Sequence, residues 1–180
     1  MSNHSTTHSL DAPATRCEPP DDDAEPPATA RLTVDLADEQ QRVDVDGERI
    51  RQAILQVVHE AGVDDGYVSV ALVDDGTIAE LHERFLDVDG ATDVLSFGLE
   101  RTDTRLEGEI VVSTDTAARE AASYAEVAPG WSPDDEVLLY VVHGILHLVG
   151  YDDLDETAAR QMRDAEKRHL AMFGLVPPGR

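Results

Sequence analysis

Val142-His143-Gly144-Ile145-Leu146-His147-Leu148-Val149-Gly150-Tyr151-Asp152-Asp153 sets two histidines and two aspartates against an apolar helix. His143 and His147 are four residues apart, so they share one helix face, about 6 Å apart along the axis. That spacing lets two imidazoles converge on one ion. Gly150 ends the helix and permits a reversal of the chain. Asp152 or Asp153 can then fold back as a third ligand. Two histidines and one carboxylate leave a fourth tetrahedral position open, the arrangement of a catalytic zinc site. Such an ion lowers the pKa of water and polarises a phosphoryl or carbonyl oxygen. A single histidine on an apolar helix is usually a core residue. Two on one face, followed by a glycine turn and acids, point to metal.

Upstream, Ser132-Pro133 starts this helix: serine as N-cap, proline at the first helical position, then Asp134, Asp135 and Glu136 against the positive end of the dipole. The helix runs to Val149. Leu32, Val34 and Leu36 alternate with polar residues as on a half-buried strand. Helical spacing covers Glu48 to Ala61, and Tyr67 to Val73 reads as a second strand. Thr77 and Glu80 are read as a capping box opening a helix to Phe85. Asp93 to Phe97 and Glu109 to Ser113 are two further strands. Ala117 to Ala125 is a helix capped by Thr114 or Asp115. The last helix starts near Asp155 and ends by Gly174. This βαβαββααα order predicts a single α+β domain with one mixed sheet and helices packed on it.

The chain has 180 residues, 41% of them apolar, enough for one domain with a real core. Its longest apolar stretch, Val137 to Val149, is shorter than the roughly 18–20 residues of a membrane span and is interrupted by Tyr140, His143, Gly144 and His147. Met1 to Leu10 lacks the basic start and apolar run of a secretory signal. Residues 11–25 are too acidic for a mitochondrial transit peptide. The expected location is cytoplasmic. Cys17 is the only cysteine, which excludes an intrachain disulfide and a thiolate metal site. Residues 1–30, rich in Ser, Thr, Asp and Pro, read as a disordered acidic tail ahead of a domain over residues 31–176. Net charge is −24. Six of the 38 acids and one of the 14 bases fall in residues 1–30, so −19 remains beyond the tail. That charge repels nucleic acid at long range. An RNA substrate therefore calls for a local positive patch, with Arg84, Arg101, Arg105 and Arg119 as candidates, at least two of them on the metal-bearing face.

The helix motif departs from the His-Glu-x-x-His protease pattern, because Gly144 stands where the general-base glutamate belongs. Instead, HGILHLVGYDD (His143 to Asp153) resembles the signature of the YbeY family, usually His-Gly-x-Leu-His-Leu-x-Gly-Tyr-Asp-His. ATDVLSF (Ala91 to Phe97), GEIVVSTDTAARE (Gly108 to Glu120) and the last helix with Met162 and Glu166 are similar to family segments in the same order. Together they cover about residues 32–174.

The resemblance implies an α+β domain with a mixed four-stranded sheet, about five helices and a zincin-like metal helix. It implies a single-strand-specific endoribonuclease of ribosome biogenesis, acting in 16S rRNA 3′-end maturation and ribosome quality control. Its expected partners are single-stranded rRNA and the ribosome or small-subunit proteins, with no membrane and no DNA. One Zn2+ per chain would be held by His143, His147 and, where the usual third histidine stands, Asp153. Asp152 is the rival ligand, a partner for a ligating imidazole, or the nearest candidate general base. An aspartate at position 153 keeps the open site while altering metal preference. A second departure lies in Leu81 to Asp89. His82, Phe85 and Leu86 stand where the family commonly has Asn and Tyr-Arg, so an arginine is missing at Leu86. His82, Thr92 and Asp93 are candidates to line the cleft. The alternative is a ribosome-associated assembly factor with a structural zinc. A peptide hydrolase is disfavoured by Gly144.

Overall fold

A computed structural model describes residues 32–179; the acidic tail and Cys17 lie outside the described residues. The elements run β1 (Leu32–Asp38), α1 (Gly47–Glu60), β2 (Asp65–Val73), α2 (Asp75–Leu86), β3 (Val94–Arg101), β4 (Arg105–Ser113), α3 (Thr114–Ser123), α4 (Pro133–Leu148) and α5 (Glu156–Ala171). This is the βαβαββααα order expected from the sequence. The four strands form one mixed sheet in the order β1-β2-β4-β3. β1 and β4 run parallel to β2, while β3 and β4 form an antiparallel hairpin.

Period-two alternation divides the sheet faces. Val68, Val70 and Leu72 of β2 and Leu106, Ile110 and Val112 of β4 lie in the main core with α1, α4 and α5. A smaller core under α2 joins Ile78, Val73, Leu95 and Val111. α4 is buried nearly all round, from Asp135 to Val142 and again at Gly144 to Leu146 and Leu148. Each large apolar side chain so buried contributes roughly 1.5–3 kcal/mol. The metal-motif helix is thus the central strut of the domain.

Its start follows the sequence closely. The Ser132 side chain accepts from Asp135 N–H while Asp135 reaches back to the Ser132 backbone, with Pro133 at the first position. Asp155 caps α5 through Thr157 and Ala158 N–H. Two caps differ from expectation. α2 starts earlier, with Asp74 Oδ1 accepting from Thr77 N–H at 2.7 Å, so Thr77 lies inside the helix and forms no capping box. α3 is capped by Ser113, not Thr114 or Asp115. The Ser113 hydroxyl is oriented by donating to Asp75 Oδ1 at 2.5 Å. In both cases a polar residue upstream of the expected cap, at or just past the end of a strand, takes an N–H of the first turn. Among the described residues, no helix is long and apolar enough to cross a membrane.

Candidate metal centre

α4 carries His143 and His147 on one face, and the reversal at Gly150 (φ +98°) brings the following loop back over them. Nε2 of His143 lies 2.9 Å from Nε2 of His147. It lies 3.8 Å from Asp153 Oδ2. One donor atom from each of the three residues falls within 4.8 Å of the others. The two rings stand edge to face, with centroids 4.5 Å apart. His143 and His147 are half-buried and Asp153 is exposed, so the cluster opens to solvent on the loop side.

The outer nitrogens are fixed. His147 Nδ1 lies 3.1 Å from the Tyr151 carbonyl oxygen, which can only accept, so this nitrogen carries the hydrogen. His143 Nδ1 lies 2.7 Å from Glu166 Oε1, where it likewise donates to a carboxylate. Both inner Nε2 atoms therefore present lone pairs at 2.9 Å. Two such lone pairs repel unless a cation lies between them. An N,N,O donor set with outer-nitrogen partners of this kind fits a divalent transition metal.

Glu166 is 1% exposed on α5, 23 residues beyond His143. Sequence reading placed it only in a matching segment and did not give it this role. The available signal was an acid on the apolar stripe formed by Met162, Ala165, His169 and Leu170. Asp152 is not an imidazole partner; Glu166 and the Tyr151 carbonyl are. Asp152 Oδ1 instead accepts from Asp153 N–H (2.7 Å) and Leu154 N–H (3.2 Å), shaping the loop that presents Asp153.

Gly144 points away from the donors. A Cβ there would meet Ile110 Cγ2 and Ser96 Oγ at 2.9 Å, so the position packs directly on the sheet. The Ser96 hydroxyl donates to the Gly144 carbonyl at 3.3 Å. The glycine serves close helix–sheet approach, and a base side chain has no room there. At the other end of the strand, Arg101 donates to the Leu148 carbonyl at 3.1 Å and so caps α4.

The four candidate arginines separate. Arg101 lies against the C-terminus of α4. Arg119 shares a polar cleft with Thr92, Asp93, Glu136 and Tyr140, but it is paired with Asp75 at 2.8 Å. Arg105 is held by Asp65, Glu100 and Glu107. Arg84 lies over the Phe85 ring. None of the four lines the cleft at His143 and Asp153; the cation there is Arg163. Thr92 and Asp93 do not line that cleft; they line a second one, with Glu136 and Tyr140 of α4, while His82 is tied to the Gly90 carbonyl (2.9 Å) in the loop after α2. In that second cleft Tyr140 is held protonated: burial raises its pKa, reinforced by Glu136, Asp93 and Glu120.

Known proteins resemble this chain in sequence and in fold. The family model "Endoribonuclease YbeY" matches residues 35–174. A relative of that name from Rhodopirellula baltica is 40% identical over 129 residues, covering 72% of this chain and 65% of its own length. One from Carboxydothermus hydrogenoformans is 39% identical over 140 residues, covering 76% of this chain and 94% of its own. In fold, the chain is similar to the solution structure of TM1509 from Thermotoga maritima. That match has a TM-score of 0.51 at 24% identity, over 82% of this chain and 99% of that one. The sequence matches run through both halves of the donor cluster and nearly all of the sheet, and on them the chain belongs to the Endoribonuclease YbeY family of RNA-cleaving enzymes.

Proposed function

We propose that residues 31–176 form a zinc-dependent, single-strand-specific endoribonuclease. In this reading it works in the cytoplasm in ribosome biogenesis, 16S rRNA 3′-end maturation and ribosome quality control, with the ribosome or small-subunit proteins as partners. The observation that carries it is the convergence of His143, His147 and Asp153 in an open cleft, both histidines fixed with Nε2 inward. These three residues would hold one zinc. When bound, zinc supplies Lewis acidity toward water and the phosphoryl oxygen of a phosphodiester.

The chain's own residues do the rest. Glu166 and the Tyr151 carbonyl hold the imidazoles in one tautomer. Gly144 seats α4 on the sheet so that the histidine face stays at the cleft. Asp152 has Oδ1 committed to the turn. Its second oxygen makes Asp152 the nearest candidate general base. Asp152→Asn keeps an acceptor for the turn and removes proton affinity. Cleavage should fall about 10²-fold or more with metal content unchanged; an unaltered rate would reduce Asp152 to a turn residue.

The test of the whole reading is metal content alongside cleavage of a fluorescent single-stranded RNA, in wild type, His147→Ala and Asp153→Ala. The expected result is about one zinc per chain and cleavage lost in both variants. Full metal loading without cleavage in any preparation would favour an assembly factor whose zinc is structural.

A further inference from the structure

We propose that Arg163 forms a phosphate-binding subsite beside the metal centre, taking a backbone phosphodiester of single-stranded RNA. This rests on the nuclease reading and names the contact by which the site holds its polyanion. A cleft of about 290 Å³ is lined by His143, Asp153, Ala159, Met162, Arg163 and Glu166, with Gly179 at its edge. It reaches the donor cluster through His143 and Asp153. α5 places the guanidinium there by helical spacing. Ala159 lies one turn before Arg163 and Glu166 one turn after, so the three share one side of the helix. Met162, 1% exposed, anchors the turn between them in the core. Ala159 has a short side chain, which leaves the rim beside Arg163 open.

Charge makes the assignment specific. Asp153 and Glu166 bring two carboxylates to this cleft, in a chain of net charge −24. A phosphodiester entering it needs a fixed cation within the same walls, because local field outweighs net charge only at short range. Arg163 is the only lysine or arginine lining it among the described residues. Several arginines elsewhere are committed: Arg49 to Asp134 and Asp135, Arg105 to three acids, Arg119 to Asp75, Arg168 to Glu60. A guanidinium also matches phosphate geometry through two parallel N–H donors.

The experiment uses the zinc-loaded full chain and a fluorescent single-stranded RNA. It measures binding by anisotropy across a salt series, together with KM, kcat and zinc content, for wild type, Arg163→Ala, Arg163→Lys and Arg160→Ala. Arg160 lies on the same helix, exposed and paired with Glu156, so its variant removes the same charge outside the cleft. Expected for Arg163→Ala are a KM raised about tenfold, a log-affinity against log-salt slope reduced by about one, and unchanged zinc. Arg163→Lys should restore part of the affinity, and Arg160→Ala should match wild type. Equal losses in Arg163→Ala and Arg160→Ala would overturn the subsite, as would no change in Arg163→Ala while the wild type binds RNA. Failure of the wild type to bind or cleave RNA would overturn the subsite together with the function beneath it.

Discussion

The two ends of α4 each carry a polar cluster, and they are built on opposite rules. At the N-terminal end acids meet donors and a cation. Arg49 from α1 binds Asp134 and Asp135, with Nη2 to Asp135 Oδ1 at 2.9 Å, while Asp135 also holds Ser132. Burial raises the Asp135 pKa, but bonds from Ser132 and Arg49 outweigh it and leave the carboxyl below its ordinary range. At the C-terminal end like meets like: two acceptor nitrogens and a carboxylate converge with no donor among them. A closed network stabilises the fold; a convergent set of acceptors leaves room for something the chain does not supply.

Removing one donor should separate the two ends of α4 most strongly. His143→Ala leaves a two-donor site and should drop zinc from about one per chain to near zero, abolishing cleavage. The folded domain should persist, because the N-terminal cluster is untouched. Metal analysis beside a thermal melt checks both. Retained zinc would mean that the ion sits elsewhere. A smaller effect is expected one shell out. Glu166→Gln keeps shape and a hydrogen-bonding oxygen but cannot enforce the donor role of His143 Nδ1. Zinc affinity should weaken about 10- to 100-fold by chelator competition. Unaltered affinity would make the buried carboxylate a packing feature.

The two ends also differ in how far they could be read from sequence. Ser132-Pro133 followed by three acids specifies its cap locally, and the structure matches it residue by residue. The histidine spacing and the Gly150 stop were legible for the same reason: they concern positions within one turn. What stayed hidden depends on distant pairing. Arg49 meets Asp135 across 86 positions and His143 meets Glu166 across 23. Arg163 reaches the cleft only because α5 folds back on α4. Gly144 was visible as a missing base, yet its packing against Ile110 and Ser96 required the sheet. The α2 and α3 caps were misplaced because Asp74 and Ser113 sit at strand ends, where local sequence leaves two starts open.

At the closed end, Arg49→Met should cost stability and nothing else. It strips a buried carboxylate, Asp135, and a half-buried one, Asp134, of their partner, worth roughly 1–3 kcal/mol, with zinc content and cleavage per folded molecule unchanged. Urea denaturation measures the loss. A change in metal affinity instead would show that the two ends of α4 are coupled.

The smallest expected effect concerns α5, which carries a functional and a structural buried group three residues apart. His169 is 2% exposed, 2.9 Å from Gln56 Nε2 and 3.6 Å from Glu60 Oε2. Burial lowers its pKa, Glu60 partly offsets this, and Arg168 adds to the depression. The folded state therefore keeps His169 neutral where the unfolded chain begins to bind a proton, near pH ~6.5. Stability attributable to this group is intact above that pH. It declines as pH falls from there toward the folded value, at up to about 1.4 kcal/mol per pH unit. Urea melts of metal-free protein at successive pH values, wild type against His169→Gln, isolate the contribution, since the histidines on α4 are common to both. A shallower pH dependence in the variant is expected. Parallel curves would place the proton uptake on another group and leave Glu166 as the one buried polar side chain on α5 with a consequence that titration or metal binding can detect.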